Sequence, residues 1–180
     1  MGDAARRTMT EAEFLRLPES MSKIELVDGE VVVAPSPTVW HQEIQIRIAS
    51  ALRTWAEGRR RPVAVCHSPL DVRFGPGRIL QPDVFVLFAR IPFDHRGPID
   101  RIPALCVEVL SRGRAHDSVT KRRLYADAGV RELWLVEPAG SVERCSGAGL
   151  AISKSVRARL TSPLLPGFAL DLRRLFARRR

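Results

Sequence analysis

No apolar stretch in this chain of 180 residues approaches the ~18 needed to span a bilayer. The N-terminus, Met1-Gly2-Asp3-Ala4-Ala5-Arg6, has no apolar signal core and lacks the Ser or Thr that a myristoylation site needs at position 6. A membrane location is not expected. Cysteine is scarce: Cys66, Cys106 and Cys145 are odd in number, far apart and in no Cys-x-x-Cys pair. That excludes a disulfide framework and a zinc finger, and the expected compartment is the cytoplasm. Neither His-x-His nor His-Glu-x-x-His occurs, which argues against a zinc enzyme. Gly75-Pro76-Gly77-Arg78 lacks the spacing of a phosphate-binding P-loop and the Lys-Ser/Thr that would follow it. There is no internal repeat and no dividing linker, so residues 1–180 read as one domain, with a core over about 10–176 and a flexible basic C-terminal tail.

Positive charge is abundant. The chain carries 29 basic and 20 acidic residues, a net charge of +9, with a pI near 10.8. Most of the excess is arginine, including Arg59-Arg60-Arg61 and Arg178-Arg179-Arg180. High-GC coding would produce part of it, but the balance favours a polyanionic partner such as nucleic acid.

Against this background the telling residue is acidic. Glu108 lies inside Ala104-Leu105-Cys106-Val107-Glu108-Val109-Leu110, an apolar run bounded by Pro103 and by Ser111-Arg112-Gly113. Such a run reads as a strand covered on both faces. A carboxylate buried there must be paired or bind a cation, because an isolated buried charge costs several kcal/mol. A salt bridge to an arginine is the plain alternative. A second acid, Asp83, opens a similar strand, Val84-Phe85-Val86-Leu87-Phe88. Two acids at the ends of neighbouring core strands make a cation site.

The remaining pattern supplies the scaffold. Thr10-Glu11-Ala12-Glu13 is a capping box that predicts a short helix. Asp28-Gly29 between Ile24–Val27 and Val31–Val33 predicts a hairpin. Trp40, Ile44, Ile48, Leu52 and Trp55 recur at helical spacing up to Gly58. Strands are expected at Val63–Cys66, Leu70–Phe74 and Val84–Phe88, then a Pro-rich loop over 90–103 and the Glu108 strand. A helix over His116–Ala128, stopped by Gly129, leads to a strand at Leu133–Val136. Short strands over 141–160 and a brief helix near 171–177 close the chain. This order fits an α/β fold in which helices flank a mixed central sheet, with extra C-terminal strands.

Asp117, Lys121 and Tyr125 fall at i, i+4 and i+8 on the helix that leaves the Glu108 strand, so they share one face. An ordinary Asp–Lys helix pair beside a half-buried Tyr would give the same spacing. Their position favours chemistry. Asp83 and Glu108 offer the hard oxygen ligands that Mg²⁺ or Mn²⁺ prefers, and a lysine can steady developing negative charge in phosphodiester hydrolysis. His41, at the head of the first long helix, would either join such a site or be satisfied at the helix cap.

Taken together, these motifs resemble a known family. Gln81-Pro82-Asp83-Val84, Val107-Glu108-Val109-Leu110-Ser111, Asp117, Lys121, Tyr125 and Gly129-Val130-Arg131-Glu132-Leu133-Trp134-Leu135-Val136-Glu137-Pro138 are similar to the Uma2 endonucleases. So are Glu25-Leu26-Val27-Asp28-Gly29-Glu30, His41 and Leu165-Pro166-Gly167-Phe168, so the likeness runs from about Thr10 to Phe176. That family shares the PD-(D/E)XK restriction-endonuclease-like fold. The resemblance implies a Mg²⁺- or Mn²⁺-dependent DNA endonuclease and a homodimer. Asp83 and Glu108 would hold the metal, Lys121 would be catalytic, and His41, Asp117, Tyr125 and Glu25 would be accessory. One departure stands out: the superfamily pattern puts Lys two residues after the Glu, where this chain has Leu110. Lys121 is the natural stand-in. The competing readings are a nucleic-acid-binding protein that keeps the acidic site without turnover, and a structural or regulatory dimer with a basic surface.

Overall fold

Local signals build the first elements. The computed structural model describes residues 8–18, 22–111 and 115–178, apart from the side chains of 115–117. Thr10 caps helix α1 (Glu11–Phe14): its hydroxyl accepts from the Glu13 amide, and the Glu13 carboxylate accepts from the Thr10 amide. Strands β1 (Ile24–Val27) and β2 (Glu30–Val33) form the expected hairpin. Asp28 and Gly29 both take positive φ (50° and 84°), the conformation that a two-residue turn between right-twisted strands requires. Thr38 caps the 19-residue helix α2 (Val39–Glu57).

The strands that follow are β3 (Ala64–His67), β4 (Val72–Gly75), β5 (Arg78–Leu80), β6 (Val84–Leu87) and β7 (Leu105–Val109). Helix α3 (Ala115–Asp127) leads to β8 (Glu132–Glu137), β9 (Ser141–Ser146), β10 (Ile152–Val156), β11 (Arg159–Thr161), β12 (Ala169–Asp171) and the short α4 (Leu172–Leu175). The central sheet has six strands in the order β10-β9-β8-β7-β6-β3. It is mixed: β7 and β8 run parallel, joined by α3, and every other pairing in the sheet is antiparallel. A four-stranded sheet, β2-β1-β5-β4, and a β11–β12 pair complete the architecture.

Two expectations need correction. Strand β5 was not foreseen, and Gly75-Pro76-Gly77 turns the chain between β4 and β5, not between β4 and β6. The strand expected at Leu70–Phe74 is shifted to β4, Val72–Gly75, and lies in the smaller sheet. At the start of the basic tail the Arg178 guanidinium lies over the Trp40 ring, 5.2 Å from its centre. Arg179 and Arg180 lie outside the described residues.

Period-2 alternation sorts the core into two layers. On one face Ile44, Ile48, Leu52 and Trp55 of α2 pack against Val84, Val86, Leu105, Val107, Val109, Trp134 and Val136. On the other, Leu124 and Tyr125 of α3 join Phe85, Leu87, Cys106, Leu133 and Leu135. Each fully buried Leu, Val or Phe contributes roughly 1.5–3 kcal/mol, so both helices are held firmly to the sheet. All five residues of β7 are buried, as the continuous apolar run implied.

Candidate active site

The alternation that builds the core also aims the acids. Odd positions of β6 and even positions of β7 face α3, since Phe85 and Cys106 pack there. Asp83 and Glu108 continue those two series. The antiparallel register pairs Val84 with Val107, so the next step along the ladder sets Asp83 opposite Glu108. Both are buried.

Asp83 is held by donors from four elements or loops. Its Oδ2 accepts from the Val109 amide at 2.8 Å, so the side chain extends the β6–β7 ladder by one rung. His41 Nε2 stands 3.3 Å from the same oxygen. Lys23 Nζ donates to Oδ1 at 3.0 Å. The Asp83 carbonyl accepts from Gln45 Nε2 at 2.9 Å and from the Ser68 amide at 3.1 Å. Glu108 is divided between two environments. Tyr125 donates its hydroxyl to Oε1, while Lys121 Nζ reaches Oε2 at 3.0 Å. A third carboxylate, Glu25 on β1, accepts from Lys121 at 3.3 Å and from the Gln81 amide at 2.8 Å through Oε1. Glu25 and Lys121 are buried as well.

These surroundings push the two central acids apart. Burial alone would raise Asp83, but the Lys23 ammonium, the hydrogen bond from His41 and the Lys121 charge reverse it and hold Asp83 well below the usual carboxylate range. Glu108 goes the other way: its burial, with Asp83 and Glu25 nearby, outweighs both lysines and raises it. Burial and the Glu108 charge raise Tyr125 as well, keeping it a hydrogen-bond donor. Two carboxyls with opposite tendencies, side by side, form a site where a cation changes proton affinity sharply.

Sequence reasoning thus placed Asp83, Glu108, Lys121, Tyr125, Glu25 and His41 in one cluster, and the fold brings all six together. The His41 ring meets Asp83, and its backbone amide donates to the Thr38 cap. The Asp117 side chain lies outside the described residues. Two members were missed. Lys23 and Gln45 carry no motif of their own. For Lys23 the usable signal was its i, i+2 spacing from Glu25, which puts both on one side of an extended segment. For Gln45, a polar residue inside the apolar stripe of α2 was the clue. Leu110, at the superfamily's lysine position, is half-buried against the α3-side core.

Among the described residues, no group of three or more His, Cys, Asp and Glu side chains is arranged to hold a metal ion as it stands. The donor set nevertheless fits a hard divalent ion, because carboxylate oxygens from Asp83, Glu108 and Glu25 converge on one cation, the Lys23 ammonium. No described helix is long and apolar enough to cross a membrane.

The sequence pattern of Uma2, described as a putative restriction endonuclease, matches residues 11–173. Among solved structures, a putative nuclease belonging to DUF820 from Anabaena variabilis is similar at 25% identity and a TM-score of 0.76. That match covers 93% of this chain and 97% of the other. No curated protein matches the chain. The likeness in fold extends over the mixed sheet, the flanking helices and the added strands.

Proposed function

We propose that this chain, which belongs to the Uma2 family, is an endonuclease that hydrolyses DNA phosphodiester bonds with Mg²⁺ or Mn²⁺. The observation that carries the reading is the convergence of Asp83, just before β6, Glu108, near the end of β7, and Lys121, from the middle of α3. Asp83 and Glu108 would hold the metal, with Glu25 beside them. When bound, a divalent ion supplies a nucleophilic water at neutral pH and neutralises charge on the phosphate.

The protein's own residues supply the rest. The Val109 amide, His41 and the backbone clasp of Gln45 and Ser68 fix Asp83 in one orientation. Tyr125 occupies Glu108 Oε1 and leaves Oε2 facing the lysines. Lys121, anchored on a packed helix, would steady negative charge on the scissile phosphate, the task the superfamily gives to the position held here by Leu110. The net charge of +9 would draw the DNA backbone, so affinity should fall steeply with salt.

Nicking of supercoiled plasmid in Mn²⁺, with and without EDTA, tests the reading. Metal-dependent nicking abolished by Asp83→Ala is the expected result. Cleavage that persists in EDTA would sink the metal mechanism. Salt-sensitive DNA binding with no cleavage in any metal would favour the binding protein on the same fold.

A homodimer is part of the same proposal, with the edge strand β10 as its seam. Among the apolar residues of this late region, Val142 and Leu150 are buried in the protein's own core, and Ile152, at 63% exposure, is the apolar side chain that β10 presents outward. Light scattering at micromolar concentration should return twice the 20.1 kDa chain mass.

A further inference from the structure

We propose that Lys23 is a displaceable occupant of the cation position, holding three carboxylates together until a divalent ion takes its place. The inference rests on the metal site proposed above and adds what that site must give up to be filled.

The Lys23 ammonium stands 3.0 Å from Asp83 Oδ1, 3.9 Å from Glu25 Oε1 and 3.9 Å from Glu108 Oε2. A single small cation at the meeting point of three acids is where a divalent ion would collect its oxygen ligands. Lys121 reaches the same oxygens of Glu25 and Glu108, at 3.3 and 3.0 Å. Lys23 meets all three acids, Asp83 at the shortest distance.

The lysines differ in how they are anchored. Lys121 projects from α3 next to Leu124 and Tyr125, both fully buried, and its side chain is 10% exposed. Lys23 precedes β1 at the rim, with a side chain 19% exposed and therefore a path to solvent. Charge balance points the same way. Among the three carboxylates and two lysines in mutual contact, Lys121 and one divalent ion would match the acids, and keeping Lys23 would add one positive charge.

Composition offers independent support. Lysine occurs only at 23, 121 and 154 among 29 basic residues, yet two of these three stand in the site. Arginine would grip a carboxylate through two parallel hydrogen bonds and resist removal. A lysine is a point charge on a flexible stem and can let go. Withdrawn, its ammonium would stay at the mouth of the site, within reach of an arriving phosphate.

Calorimetric titration of the full chain with Mn²⁺, in the absence of nucleic acid, tests this. Lys23→Met should bind Mn²⁺ roughly tenfold tighter than wild type, because the competing ammonium is gone. Lys23→Arg should bind it more weakly. In EDTA, Lys23→Met should melt below wild type, since its carboxylates repel without their shared cation. Wild type that binds Mn²⁺ while Lys23→Met binds it no more tightly would overturn the proposal and leave the metal site standing. Failure of every folded variant to take up Mn²⁺ would overturn the metal site itself, and this proposal with it. Should Lys23→Met fail to fold, Lys23→Arg decides: affinity equal to or above wild type overturns the inference.

Discussion

Glu108 on β7 and Glu132 on β8 are buried carboxylates on paired parallel strands, yet they face opposite sides of the sheet and keep different company. Glu132 lies on the α2 side. It accepts from Trp134 Nε1 at 2.6 Å and from Ser162 Oγ at 2.9 Å, with no basic side chain paired to it among the described residues. Glu108 shares its pocket with two other acids and two lysines. Glu132 has its lone pairs met by neutral donors and fastens the segment leading out of β11 to the sheet. Glu108 sits among like charges, which costs stability unless a cation repays it. Burial of a carboxylate is therefore a weak sign of function. Convergence of several is the stronger one.

Mutating each member should separate the two acids widely. Glu108→Ala or Asp83→Ala should lower metal-dependent plasmid nicking by about a thousandfold or more, as expected when a metal ligand is lost. Glu132→Gln should leave the rate within a few-fold of wild type, because the amide can still serve both Trp134 and Ser162. Equal losses in both variants would erase the distinction.

Stability should show the reverse ranking of specificity. Glu132→Ala leaves the Trp134 indole N–H and the Ser162 hydroxyl without their acceptor, at a cost of about 1–3 kcal/mol each. The thermal midpoint should fall with Mn²⁺ affinity unchanged.

The pH dependence of unfolding in EDTA sharpens the comparison inside the site itself. Asp83 is depressed below its ordinary 3.8, so its ionised form stabilises the fold above that value, and the contribution is lost as pH falls through the lower folded value. Glu108 is raised above 4.5, so its contribution is present below that value and is lost as pH rises through the raised folded value. Denaturant titrations from acid to neutral pH should show a loss on each side. Glu108→Gln should abolish the loss on the alkaline side and leave the acid limb in place.

The smallest effect is expected from Tyr125→Phe. It keeps the ring against Phe74, 5.0 Å away between centroids, but removes the donor to Glu108 Oε1. Stability should drop by about 1 kcal/mol, and nicking should slow by roughly tenfold as Glu108 gains freedom to turn.

Much of this was legible in the chain because its signals are local. The Thr10 cap, the Asp28-Gly29 turn, the α2 stripe and the apolar β7 run each carry their own physics over a few residues. Glu108 and Asp83 stood out because charge in such runs is costly. Strand β5 was hidden: three residues are too short to show alternation, and what makes Arg78–Leu80 a strand is pairing with β1 and β4. Lys23 was hidden for a related reason. Nothing near it in sequence says that β1 will lie across the end of the central sheet, and only that packing turns an ordinary surface residue into a partner of Asp83. Glu132 went unremarked because it sits at the edge of its apolar run, where an acid normally finds water.

The 2.8 Å bond from the Val109 amide to Asp83 makes that amide proton a natural reporter. Its NMR shift and its rate of exchange with solvent deuterium should respond to whatever happens to the carboxylate: protonation, capture of a metal ion, or release from Lys23. Watching one backbone resonance of isotope-labelled protein would follow the state of the site without substrate or mutation.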